Sequence, residues 1–151
     1  MLHYYKLFWL NAFNIHARSR RKEFWYPVLV TIIITMLGNL LITVLPIPEF
    51  VTVIVSSIFN TATFVASTTV AIRRFHDLNM TMKFPIINCV ITILVLINGN
   101  VFYVHDLHTP IGILSNILGI ICLLLNLGLL ITACGDGHKE PNKYGESPKY
   151  A

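Results

Sequence analysis

His76 and Asp77 stand together immediately after Arg73-Arg74-Phe75. An imidazole can act as general base or nucleophile and a carboxylate can orient it, so the segment could work on a phosphate-bearing lipid at the membrane surface. Helical geometry opposes that dyad, because consecutive positions do not face one another. A second chemistry is anion binding. Guanidinium groups gathered at one interface hold a lipid phosphate through paired, charge-assisted hydrogen bonds, and Arg18, Arg21 and Glu23 supply further charge from an earlier segment. The third reading is structural. The imidazole and carboxylate would pair with Arg18, Arg21 or Glu23 in a polar layer that closes the fold, and such networks often mimic functional sites. The sequence favours this structural role over anion binding, and anion binding over catalysis.

Other reactive residue types carry less. His105-Asp106-Leu107-His108 has the ligand types of a zinc site, but its spacing matches no recognised framework and a short loop needs polar residues anyway. Cys89, Cys122 and Cys134 show no close pairing and read as small apolar packing residues rather than disulfides or redox centres. There is no Gly-rich phosphate loop, GxSxG elbow or HExxH helix. No catalytic residue, metal or cofactor is expected.

The elements that must position these residues are plain in the composition. Of 151 residues, 55% are hydrophobic and 12% charged, and the mean hydropathy is +0.69, too apolar for a soluble domain of this size. A hydrocarbon core of about 30 Å needs roughly 20 apolar residues in a helix. Four stretches qualify, at 25–45, 50–72, 84–104 and 111–133. All are continuously apolar, without the alternation of a membrane barrel. The first lacks a cleavage pattern behind it and reads as an anchor, with Pro27 tolerated in its first turn. The single expected domain, 1–151, is thus an all-α membrane protein. It is a four-transmembrane-helix bundle with an N-terminal interfacial amphipathic helix in segment 1–18 and a short cytoplasmic tail at 135–151.

All eleven Lys and Arg fall in three segments: before the first span, between the second and third, and after the fourth. The connections at 46–49 and 105–110 carry none. Positive charge accumulates on the cytoplasmic side, so one orientation places every cation and both termini inside. Arg73 and Arg74 then lie at the C-terminal end of span two, where cations favour the helix dipole by about 0.3–1 kcal/mol. The net charge of +4 belongs to the ends of apolar runs and not to a soluble basic face, which excludes nucleic acid as a partner. The spans hold no Asp, Glu, Lys or Arg, which counts against ion-coupled transport. Their polar residues are hydroxyls and amides. Asn39, Asn60, Asn88, Asn98, Asn100, Asn116 and Asn126 are expected to face other helices, or else to line an uncharged pore or small-solute carrier. In residues 1–13, Tyr4, Tyr5, Phe8, Trp9 and Phe13 suit a helix lying in the headgroup region, with His3, Lys6 and Asn14 on one side.

Three polar segments therefore converge on one face: ARSRRKEFW at 17–25, RRFHD at 73–77 and NKYGESP at 142–148. In order, spacing and intervening spans they resemble the signatures of the domain-of-unknown-function 805 family, small bacterial inner-membrane proteins without an established role. Arg18, Arg21, Glu23 and Trp25 fall on its first signature, Arg73, Arg74, His76 and Asp77 on its second, and Asn142, Tyr144, Gly145 and Pro148 on its third. Ala17 stands where the family usually has Gly, and Met82-Lys83-Phe84 replaces a Gly-Trp-Trp-like run. The resemblance implies a multi-pass protein of the bacterial inner membrane and supplies no reaction. The candidate cluster is Arg18, Arg21, Glu23, Arg73, Arg74, His76, Asp77, Asn142 and Tyr144, with the tail residues folding back onto it. Its expected partners are the bilayer, anionic phospholipid headgroups, and a membrane-protein partner or a second copy of the chain.

Overall fold

The computed structural model describes residues 1–98 and 108–148. Asn100, the end of the expected third span, most of His105-Asp106-Leu107-His108 and Lys149 lie outside the described residues, as does the side chain of Asn98. Among the described residues the chain is helical, in the order α1 (Leu2–Leu10), α2 (Arg21–Val44), α3 (Glu49–Asp77), α4 (Lys83–Asn98) and α5 (Pro110–Ala133). At 1.5 Å per residue, α2 and α5 reach about 36 Å and α3 about 43 Å, enough to cross a bilayer. These three are long and apolar enough to do so. The described part of α4 is apolar but shorter, at 16 residues.

Local chemistry sets the ends. Thr109 caps α5 by accepting a hydrogen bond from the Gly112 amide at 3.1 Å, and Pro110 follows at the first helical position, where its missing N–H costs nothing. Pro46 and Pro48 break the chain between α2 and α3. α3 stops in a Schellman motif. Asn79 takes the left-handed conformation (φ 58°), its amide donates to the His76 carbonyl, and the Met80 amide donates to that of Phe75. α2 starts a turn earlier than hydropathy alone suggests. Pro27 is therefore interior to the helix and not in its first turn, which leaves the Glu23 carbonyl without its helical donor.

The tightest packing lies at the polar end of the bundle. Phe8, Ala12, Phe24, Ala66, Val70, Ala71 and Ala133 form a buried cluster, flanked by Tyr5, Trp9, Trp25, Val28 and Leu129. Small residues on α3 and α5 let the helices approach, and α1 covers them. α1 turns Phe8 into the protein, 2% exposed, and leaves Leu2 and Leu10 outward, as Phe13 is just beyond it. It also ends at Leu10, so Asn14 lies beyond the helix and does not share a helical side with His3 and Lys6. Away from this end, the apolar side chains of α2 and α3 project outward, among them Leu37, Leu41, Val53 and Ile54, as lipid-facing surfaces do.

Of the described amides, Asn88 and Asn126 join α4 to α5. The Asn88 Nδ2 donates to Asn126 Oδ1 at 3.3 Å, and Asn126 Nδ2 donates to the Cys122 carbonyl at 2.8 Å. Asn39 and Asn60 instead border a crevice of about 330 Å³ between α2 and α3. All three cysteines are free.

Candidate functional site

Asp77 ends α3 and is 4% exposed. A carboxylate there is stable only if paired and hydrogen-bonded, and two guanidinium groups supply this. Arg18 meets Oδ1 through Nε at 3.1 Å and Nη2 at 3.0 Å. Arg74, one turn back on α3, donates from Nη1 to Oδ2 at 2.5 Å. Both arginines have further acceptors. Arg74 is 1% exposed and caps the end of α5, donating from Nε to the Ala133 carbonyl at 3.1 Å and from Nη2 to the Gly135 carbonyl. Its Nη1 also reaches the Ser19 carbonyl at 3.3 Å. Arg18 holds the segment after α5 by three carbonyls, His138 at 2.5 Å and Glu140 and Gly145 at 3.1 Å each. One carboxylate and two guanidiniums thus tie together the chain before α2, the end of α3, the end of α5 and the tail.

The tail answers with its own donors to the last carbonyls of α3. The His138 amide donates to the Asp77 carbonyl at 2.8 Å, and Asn142 Nδ2 donates to that of His76 at 2.9 Å. Residues 142–145 form a tight loop, bonded both ways between the Asn142 and Gly145 backbones and stiffened by the Asn142 side chain accepting from the Tyr144 amide at 2.9 Å. Gly145 sits at φ +115°, a conformation glycine adopts without strain. The loop lays the Tyr144 ring flat on His76, with centroids 3.7 Å apart and planes 8° apart.

This arrangement bears on the chemistries the sequence offered. His76 and Asp77 do not form a dyad: the carboxylate is engaged by Arg18 and Arg74, and the imidazole lies under Tyr144. Among the described residues neither imidazole nitrogen makes a hydrogen bond of good geometry, and the Ala17 backbone offers it only a poorly aligned one. Burial drives its pKa down, opposed by the Ala17 backbone, while the nearby charges of His16 and Lys143 lower it further. Glu23 accepts from the Ser19 hydroxyl at 3.0 Å. Arg73 is 4% exposed and its Nε has no partner. Burial lowers its pKa, and the charge of Glu23 opposes the shift. Of the nine sequence candidates, Arg18, Arg74, His76, Asp77, Asn142 and Tyr144 meet in one hydrogen-bonded and stacked layer. Arg73 and Glu23 lie beside it, and Arg21 lies at its edge.

At that edge the layer opens. Arg21 donates from Nε to the Gly135 carbonyl at 2.8 Å and pairs with Asp136 at 2.8 Å, with the Arg21 side chain about half exposed and that of Asp136 largely in solvent. Tyr4, Arg20, Arg21, Lys22, Arg74, Asp77, Asp136, Gly137 and Ser147 enclose a cavity of about 280 Å³. Its lining carries four cations and two carboxylates. Arg20 and Lys22 make no ion pair or side-chain hydrogen bond among the described residues. Sequence reading passed over Tyr4, Ser19, Arg20, Lys22, Asp136, Gly137 and Ser147 as site residues. Run position identifies Arg20 and Lys22 only as topology charges, and Gly137 reads only as a turn residue of the tail. Among the described residues no group of His, Cys, Asp or Glu could hold a metal ion.

The family model described as Protein of unknown function (DUF805) matches residues 12–146. The matched span begins just after α1 and takes in every residue of the polar layer. No curated protein and no solved structure matches the chain. Three signatures brought into one layer at the end of a helical bundle, and a match over nearly the whole length, place the chain in the DUF805 family of proteins of unknown function.

Proposed function

We propose that this chain is a non-enzymatic four-span module of a bacterial inner membrane that holds the headgroup of an anionic phospholipid on its cytoplasmic face. The observation that carries the reading is the basic cavity at the start of α2. Arg20 and Lys22 border about 280 Å³ of space beside Arg21 and Arg74 and make no ion pair among the described residues. The two carboxylates in the wall are already opposed, Asp77 by Arg18 and Arg74 and Asp136 by Arg21. A phosphate entering there meets uncompensated positive charge, the first amides of α2 and the positive end of its dipole. Tyr4 and Tyr26, with ring centroids 5.3 Å apart, and Trp25 suit the level of the headgroups.

Topology supports the same location. Counting α4 as the fourth span returns the chain to its starting side, and every cation then lies inside. A reporter fused after the last residue should read as cytoplasmic; an external signal overturns the orientation. The lipid reading is tested by native mass spectrometry of the full chain released from neutral detergent. Wild type should retain phosphatidylglycerol in preference to phosphatidylcholine, and an Arg20→Gln/Lys22→Gln variant should lose that preference. Equal retention of both lipids by wild type sinks the reading. Catalysis through His76 and Asp77 is not proposed, because the two side chains are engaged separately.

A further inference from the structure

Asp136 sits where an anionic ligand would. Its carboxylate contacts Arg21 at 2.8 Å on the cavity wall, with 80% of the side chain exposed. Nothing in the fold requires it there. The tail is held at this point by backbone, through the Gly135 carbonyl on Arg21 and Arg74 and the His138 amide on the Asp77 carbonyl. The carboxylate itself adds one solvent-exposed ion pair, a contact that contributes little to stability. A phosphate offers Arg21 the same kind of oxygen, can accept two parallel N–H bonds, and can reach Arg20 and Lys22 at the same time.

Resting on the lipid-headgroup reading above, we propose that Asp136 is a built-in competitor for that site: the tail carboxylate occupies Arg21 until the phosphate of an anionic lipid displaces it. The backbone ties of Gly135 and His138 persist through the exchange, so the side chain swings into solvent and the tail stays latched. Headgroup affinity is then set by the tail as well as by the basic residues of α2, and removing the carboxylate strengthens binding.

The measurement uses the full chain in neutral-detergent micelles, titrated in parallel with short-chain phosphatidylglycerol, short-chain phosphatidylcholine and inorganic phosphate. Wild type is compared with Asp136→Asn, Asp136→Ala and Glu146→Gln. Glu146 is an exposed tail carboxylate outside the cavity, so its substitution changes net charge equally. Breaking an exposed ion pair should tighten phosphatidylglycerol binding about two- to fivefold in both Asp136 variants, with Glu146→Gln near wild type. If wild type binds and the Asp136 variants bind no tighter, or if Glu146→Gln matches them, the competitor role is overturned while the lipid reading stands. If neither wild type nor the variants bind, both fail. If inorganic phosphate binds as well as the lipid, the ligand is free phosphate and the lipid reading fails, and the Asp136 ratio then judges competition by itself.

Discussion

Gly137 is the position where a single methyl group should do the most specific damage. A Cβ built there would lie 2.0 Å from Asp77 Oδ2, 2.7 Å from Cγ and 3.0 Å from Oδ1. That is roughly 1.4 Å inside ordinary van der Waals contact, so something must move. Asp77 cannot yield cheaply, since it ends a 29-residue helix and is held by both Arg18 and Arg74. Parting a buried ion pair costs about 3–5 kcal/mol. The tail yields more readily at its start. There it is held by the His138 amide on the Asp77 carbonyl, a neutral bond contributing about 1 kcal/mol net, while the carbonyls given to the Arg18 guanidinium contribute about 1.5–3 kcal/mol each and keep the rest of the tail in place. Gly137→Ala should therefore shift residues 136–138 and leave the helices assembled, at about 1–3 kcal/mol of strain. Amide hydrogen exchange on the full chain in detergent reads this directly. Exchange at His138 should quicken about 5- to 150-fold, while the helical amides of α3 keep their protection. Gly38→Ala is the control, because a Cβ there meets nothing within 4 Å. Unchanged protection of His138 in the variant would refute the close approach on which the polar layer is built.

Four further outcomes follow from the same geometry. Asp77→Asn removes the charge shared by Arg18 and Arg74 and leaves two buried cations uncompensated, so the detergent-solubilised chain should lose about 3–5 kcal/mol; a loss below about 1 kcal/mol in equilibrium unfolding contradicts a buried triad. Arg74→Lys keeps the charge but offers fewer donors to four acceptors, and each carbonyl left unpaired costs about 1–3 kcal/mol. Arg20→Lys should be silent by the same melt, and the comparison fails if both variants behave alike. Asn126→Leu should cost about 0.6–2 kcal/mol through loss of the Asn88 contact, with solute flux through liposomes unchanged; altered flux would favour the carrier reading. His76 has its pKa lowered by burial below the ordinary 6.5, so the folded state favours the neutral ring. Its contribution is complete above pH 6.5 and is lost as pH falls through the lowered folded-state value. After correction for the intrinsic exchange rate, which itself slows as pH falls, protection of His138 should weaken as pH drops below 6.5 in wild type and keep its level in a His76→Phe variant.

Hydropathy disclosed the long helices because a bilayer span leaves a mark in every window of sequence that crosses it. It placed the starts less well. The first turn of α2, Arg21–Glu23, is polar and belongs to the helix without belonging to the apolar run. The burial of Phe8 on α1 was hidden for a related reason. An aromatic stripe looks the same whether it faces headgroups or a protein groove, and only Ala66, Val70 and Ala71 opposite Phe8 distinguish the two. The residue types of the polar layer were legible from the three motifs. Their pairing was legible only in part: Asp77 with Arg18 was among the pairs expected, and the hold of Arg74 on the same carboxylate was not. Asp77 meets Arg18 across 59 positions and Arg18 meets Gly145 across 127, and no local pattern encodes contacts of that separation. Gly137 reads in the sequence only as a turn residue of the tail, because its close approach is to a carboxylate 60 residues away.

The charge rule that orients the chain counts cations without asking what they do, and the structure divides them. Arg18 and Arg74 have given up solvent and donate to a carboxylate and to backbone carbonyls at chain ends that would otherwise be orphaned. An arginine so engaged cannot also grip a ligand without unfastening the bundle. Arg20 and Lys22 have no such duty. The division falls within one run of five residues, 18–22, whose side chains a helix start and the preceding extended stretch send in different directions. The inward members close the fold, and the outward members border the cavity at its edge. A ligand on the rim would therefore rest against Arg74 and Asp77, the groups that hold the tail, and any influence of lipid on the tail would pass through that shared wall rather than through the membrane-spanning helices.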